Sequence, residues 1–192
     1  PRAIWGAASL APAAIGAALA FGALETVLFS LAPVYGDRLA LTDGGISLIA
    51  MAAAAGALTF QIPLGWIADR TDRRDALKWI ATIAAVTPLA IWAVGDFLPG
   101  MMMLFFIQAG VASGLYTVGL ALVGERFSGG AIAAANAAFI FAYGTGSLIG
   151  PPASGTAMDV VGPHGLMIVM SVIAAIYAAL VWKRASQTAG GS

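Results

Sequence analysis

Glu25 is the first residue in the chain that could do chemistry, because residues 3–24 before it and 26–36 after it carry no charge. An acid deep in an apolar stretch is costly, and it is retained where it binds an ion or passes a proton. Glu25 is therefore a candidate for proton or substrate binding. The alternative is an acid that stays protonated and bonded to a neighbouring helix. Uncharged polar side chains could complete such a site. Gln108 and Tyr116 lie about two helical turns apart in a later apolar stretch, and Tyr143 follows Asn136 by seven residues, which brings both to nearly one face of an α-helix. Gln108, Tyr116 and Tyr143 are taken as cavity donors, with interhelical hydrogen bonding as the structural alternative. For Asn136 and Gln61, nearer the span ends, that alternative is preferred. The single histidine, His164, stands in Gly162-Pro163-His164-Gly165 and reads as an exposed turn residue.

A second chemistry comes from Asp69, Asp72 and Asp75, which recur every third residue. Three carboxylates so spaced could hold Mg²⁺ against a lipid pyrophosphate, as in a Mg-dependent lipid transferase. That reading needs a facing acidic cluster, whereas Glu125 and Asp159 stand alone and Arg70, Arg73 and Arg74 neutralise the three acids. Neither a His-Glu-x-x-His helix nor a Gly-x-Ser-x-Gly elbow occurs, and cysteine is absent. An enzyme is thus not expected, and no catalytic residue, metal ligand or cofactor is assigned. Nine basic against nine acidic residues leave no surplus for a phosphate backbone, so nucleic acid is not expected as a partner.

The elements that must position these residues follow from composition. Of 192 residues, 60% are hydrophobic and 9% charged, against a charged share of about 25% in soluble domains. The lipid bilayer is the expected partner, and the fold class is all-α integral membrane. Charges divide the chain into six apolar stretches, with spans expected at 10–36, 44–68, 79–95, 99–124, 131–157 and 162–182 within a membrane domain 1–184, followed by a polar, disordered tail 185–192. No stretch alternates as a barrel strand must. Thr42 and Asp43 read as an N-cap before Gly44. Trp5, Trp66, Trp79, Trp92 and Trp182 fall near predicted interfaces and read as an aromatic belt. A cytoplasmic start puts eight of the nine cations inside and leaves only Arg38 outside, so both termini are expected in the cytoplasm of a multi-pass cytoplasmic (inner) membrane protein.

The segment Gly65-Trp66-Ile67-Ala68-Asp69-Arg70-Thr71-Asp72-Arg73-Arg74 joins the second and third spans. It resembles the loop signature of the major facilitator superfamily, which runs Gly, three mostly apolar residues, Asp, a basic residue, any residue, Gly and two basic residues. Gly65, Asp69, Arg70, Arg73 and Arg74 match, and Asp72 replaces the second glycine. In the fifth span, Gly144, Gly146 and Gly150 before Pro151-Pro152 resemble that family's glycine and proline pattern. This predicts a helix break at Gly146, Gly150, Pro151 and Pro152, near the outer third of the span.

The resemblance implies a twelve-helix fold of two halves, each made of three-helix inverted repeats. This chain corresponds to one six-helix half. Its start at Pro1 and its short basic end suggest the C-terminal half, so the missing N-terminal half or a second copy is the expected partner. In this family the first and fourth helices line the central cavity, which would place Glu25 there. The loop residues Gly65, Asp69, Arg70, Arg73 and Arg74 would gate the conformational change. Gly65 would admit a neighbouring backbone, while Asp69 would meet a helix N-terminus or an arginine. The expected function is secondary active transport of a small-molecule substrate by alternating access, coupled to an ion such as the proton. The alternative is a non-transporting membrane subunit or scaffold.

Overall fold

The structure is a computed structural model that describes the backbone of residues 11–189 and the side chains of residues 11–183. Arg2, Trp5, the first residue of the span expected from 10, the side chain of Arg184 and the tail beyond 189 lie outside the described residues. Six helices follow in order: α1 (Pro12–Arg38), α2 (Asp43–Arg70), α3 (Arg73–Val94), α4 (Leu98–Arg126), α5 (Gly130–Val161) and α6 (Gly165–Ala189). All six are long and apolar enough to cross a membrane. Even the 22 residues of α3 rise about 33 Å at 1.5 Å each, against about 30 Å of hydrocarbon.

The helix boundaries have local causes. Pro12 sits in the first turn of α1, where its missing N–H is no loss. Thr42 caps α2 by accepting from the Gly45 amide at 3.1 Å. Gly95, Gly129 and Gly162 take positive φ of 64°, 59° and 84° at helix ends, where a side chain would be strained. Two boundaries differ from the sequence expectation by more than four residues. α3 starts at Arg73 rather than 79, because Asp72 caps it and the charged first turn belongs to the helix. α6 runs on through Ala189, so the first five residues of the expected polar tail are helical.

The predicted break in α5 is also corrected. Helix α5 is continuous from Gly130 to Val161 with Pro151 and Pro152 inside it. Each proline removes its own amide from the ladder and its ring crowds the carbonyl four residues earlier, which favours a bend rather than an end to the helix, and packing against α1 supports the helix there. Gly146 lies against the Leu19 carbonyl and the Ala23 amide of α1, and Gly150 against the Ala23 carbonyl. Gly22 of α1 lies in turn against the Tyr143 carbonyl. A Cβ at Gly22 or Gly146 would occupy backbone space, so these small residues set how closely α1 and α5 approach.

The same contact recurs between α2 and α4, where Gly56 lies on the Phe106 backbone and Gly110 on the Phe60 ring. α1 packs chiefly on α5, α4 on α2, and α3 on α6, with α1 and α4 also in contact. Exchanging helices 1, 2, 3 for 4, 5, 6 leaves these pairings unchanged. Because each unit holds an odd number of spans, the second is inverted relative to the first, which is the arrangement of an inverted repeat. α1 and α4 are the most buried spans and α2 and α5 the least. Leu58, Ile62, Leu148 and Val160 stand at least 70% exposed, as apolar residues can in lipid.

Side-chain contacts fix which helix ends lie together. Arg73 meets Glu125, Tyr177 Oη donates to the Ala13 carbonyl at 3.0 Å, and Trp182 donates to Thr82. The start of α1, the α2–α3 turn and the ends of α4 and α6 therefore form one basic end. The opposite end joins Arg38 of α1 to Asp159 of α5.

Candidate functional site

Glu25 is the central residue of α1, with thirteen helical residues on either side. Its carboxylate Oε2 accepts from Tyr143 Oη of α5 at 2.7 Å. That contact depends on the close α1–α5 packing just described, because Gly22 sits against the backbone of the same tyrosine. Ser147, one turn further along α5, donates to the Gly22 carbonyl at 3.2 Å. Phe21 lies one turn below Glu25, with its ring centroid 5.3 Å from Tyr116 and 5.7 Å from Tyr143. Tyr116 stands edge-on to Tyr143 at 6.4 Å and to Phe139 at 5.3 Å. Glu25, Tyr116, Tyr143 and Ser147 are half-buried, so the group lies at an accessible edge of the bundle at mid-height.

Of the four residues expected at this site, three come together and Gln108 does not. Gln108 is fully buried on α4, and neither amide atom has a hydrogen-bond partner among the described residues. It follows the helical row of Phe105, Ala112 and Leu115, which are also buried. It is two turns and about 80° round the helix from Tyr116. Phe21 and Ser147 belong to the site without having been singled out. Phe21 could have been found, since it stands four residues before Glu25 on the same helix face; Ser147 has no comparable signal.

The loop residues sit at the basic end. Arg73 Nη1 contacts Glu125 Oε2 of α4 at 3.1 Å and the Ala121 carbonyl at 3.4 Å, with Asp69 3.7 Å from Nη2. Glu125 is therefore the interhelical partner of Arg73 rather than an isolated acid. Arg70 stacks over Trp66 at 3.9 Å. Asp72 Oδ1 accepts from the Arg74 and Asp75 amides at 2.7 and 3.4 Å. Its φ of −60° is ordinary for an aspartate, so the replacement of glycine yields an N-cap rather than a left-handed turn. Gly65 has no atom within 4 Å of where its Cβ would lie. The neighbour expected against it is not among the described residues, because this face of α2 points away from α4.

Asp69, Asp72 and Asp75 do not converge. Asp69 lies near Arg73, Asp72 holds backbone amides and Asp75 pairs with Lys78. Among the described residues no three acids or histidines are placed to hold a metal ion. A cavity of about 790 Å³ opens at this end, lined by Asp72, Arg73, Arg74, Glu125, Arg126 and the first turn of α1. It lies about 16 Å of helix rise below Glu25, whose side chain takes no part in its lining.

At the opposite end His164 is half-buried rather than exposed. Its ring stacks on Trp92 at 5.4 Å, and Nδ1 lies 3.3 Å from Tyr35 Oη. At the same end Arg38 Nη2 and Asp159 Oδ1 form an ion pair of 2.5 Å.

Six membrane-length helices in two inverted triplets, with a lone mid-span acid and a charged turn at one end, define a class of multi-pass membrane protein. The chain belongs to the Major Facilitator Superfamily, whose family pattern matches residues 13–191. It is similar to YfkF, an uncharacterised MFS-type transporter of Bacillus subtilis (strain 168), with 28% identity over 84% of this chain and 41% of that protein. A similar protein of Enterobacter sp. (strain 638), also described as an uncharacterised MFS-type transporter, is 26% identical over 83% of this chain and 41% of its own length. YcaD of Shigella flexneri, of the same description, is 26% identical over 84% and 41%. The chain thus spans about two-fifths of the length of the curated relatives it matches.

Proposed function

We propose that this chain is one six-helix half of a secondary active transporter that moves a small solute by alternating access, with Glu25 carrying a coupling proton. The observation that carries this reading is the Glu25–Tyr143 pair, a carboxyl and its hydrogen-bond donor half-buried at mid-height of the bundle. An acid wanted only for packing would be sealed on all sides, whereas this one opens on an edge that a second six-helix unit can cover. The poorly covered faces of α2 and α5, including the open notch at Gly65, suit the same partner.

The Arg73–Glu125 contact serves as a conformational latch. A half-exposed pair of this kind contributes about 0–1 kcal/mol, weak enough to form in one state and part in another. Charge segregation supports a cytoplasmic basic end and an assignment to the cytoplasmic membrane with both termini inside.

Flux in proteoliposomes holding the full-length gene product tests the proposal. An imposed pH gradient should drive solute exchange in the wild type and not in Glu25→Gln, with both proteins eluting as the same monodisperse species. Absence of flux in the wild type across a broad solute panel would favour a scaffold.

A further inference from the structure

We infer that the outer half of the bundle binds a group of internal water molecules between α1 and helices α4, α5 and α6, held by Gln108, Ser154 and Ser171. This site is independent of what Glu25 carries. A polar group buried without a hydrogen bond is costly, and protein interiors satisfy such groups with other protein atoms or with ordered water. Tyrosines apart, five polar side chains are buried among the described residues. Thr87 and Ser113 donate to the Ile83 and Gly110 carbonyls of their own helices. Both amide atoms of Gln108 and the hydroxyls of Ser154 and Ser171 have no partner among the described residues.

These three side chains lie in one layer. Ser171 is near the outer start of α6, Ser154 near the outer end of α5 and Gln108 further along α4 from its outer start, which places them about 9 to 15 Å of helix rise from that end. All three helices pack on α1. Ser154 continues the row of Gly146 and Gly150 that lies against α1, and Gln108 is one turn from Phe105, whose ring is 6.3 Å from that of Tyr35 on α1. The backbone adds acceptors. Pro33 of α1 and Pro151 and Pro152 of α5 lie inside their helices, so the Phe29, Ser147 and Leu148 carbonyls lack their helical donors; they stand about 14 to 21 Å of rise from the same end. Side-chain atoms and carbonyls together supply the two to four partners that a buried water needs.

The layer has a mechanical consequence. A direct hydrogen bond fixes one helix against another, whereas a bridging water gives nearly the same enthalpy and can exchange partners as the helices shift. Among the described residues, the side-chain hydrogen bonds that join α4 and α6 to other helices all lie at the basic end, Arg73 to Glu125 and Ala121, Tyr177 to Ala13 and Trp182 to Thr82. Held directly at that end and through water at the other, the outer segments of α4 and α6 are the parts that yield when the bundle changes shape.

Pulsed X-ray footprinting of the full-length gene product in detergent tests the site, because hydroxyl radicals made from a bound water oxidise the side chains beside it even where bulk solvent has no access. Met158, Met167 and Met170 are at most 1% exposed and stand within one turn of Ser154 or Ser171. They should oxidise severalfold faster than the side chain introduced into the inner core by Leu77→Met, a swap that keeps the volume nearly constant. In the triple variant Gln108→Leu, Ser154→Ala and Ser171→Ala their oxidation should fall severalfold, while the exposed Met51 and Met103 are unchanged. Amide hydrogen exchange across residues 101–112 and 166–174 should slow severalfold in the same variant. Oxidation of the three buried methionines no faster than at position 77 in Leu77→Met, or undiminished in the triple variant, overturns the water site; the first comparison decides even where the triple variant fails to fold. Lost oxidation with unchanged exchange would uphold the waters and overturn their part in the movement of the outer segments.

Discussion

Tyr143 gives the acid at position 25 a donor that distinguishes it from a carboxyl merely tolerated in lipid. Hydrogen bonds to a charged group contribute about 1.5–3 kcal/mol, so Tyr143→Phe should reduce coupled flux by about tenfold or more while leaving the helix bundle folded. Proteoliposome flux and size-exclusion elution of the same preparation check the two halves of that statement. Glu25 was legible in the sequence because an isolated charge in an apolar run is a one-dimensional signal. Its pairing with Tyr143 was not, since the two are 118 residues apart and hydropathy does not say which spans touch. Gln108 shows the same limit, because spacing gives a residue's angular position on α4 but not whether that face meets a cavity or the interior. His164 reads as a turn residue until Trp92 and Tyr35 are seen to enclose it.

Individual helices were easier to read than their packing, for the same reason. Charges marked the spans, and Thr42 announced its cap, but α3 began six residues early because charged side chains in a first turn look like a loop. Asp72 supports this boundary, and replacing a capping aspartate with alanine costs about 0.5–2 kcal/mol while glycine costs a few tenths. Asp72→Ala should therefore lower the thermal transition in detergent more than Asp72→Gly, although the latter restores the family's glycine; the reverse order would show that the turn, not the cap, matters. In the sequence Pro151 and Pro152 point to a break because proline chemistry is local, whereas the close approach of α1 that supports α5 is not. A side chain at Gly146 must displace the Leu19 backbone, and overpacking costs about 1–3 kcal/mol. Gly146→Leu should accordingly reduce folded yield and thermal stability, while Gly144→Ala, which meets nothing within 4 Å, should match the wild type.

Across the whole molecule the orientation proposal is directly open to labelling, because these 192 residues contain no cysteine. With any cysteines elsewhere in the gene product replaced, Thr71→Cys should resist a membrane-impermeant maleimide in intact cells and react after permeabilisation. Asp96→Cys should react in both, and the opposite pattern would invert the topology. The repeat has a further consequence, for assembly during synthesis. The chief partner of α1 is α5 and that of α2 is α4, so neither triplet contains its own main contacts. As the chain emerges, the first three spans must wait in lipid with the Gly22 and Gly56 notches unfilled, and α2 finds its match only when α4 arrives. The α1–α5 interface closes after α5 has inserted, and the α3–α6 interface only after α6. Ribosome-stalled intermediates ending before α4 should thus be loose, protease-sensitive and dependent on the insertion machinery, and the bundle should consolidate abruptly in the second half of translation.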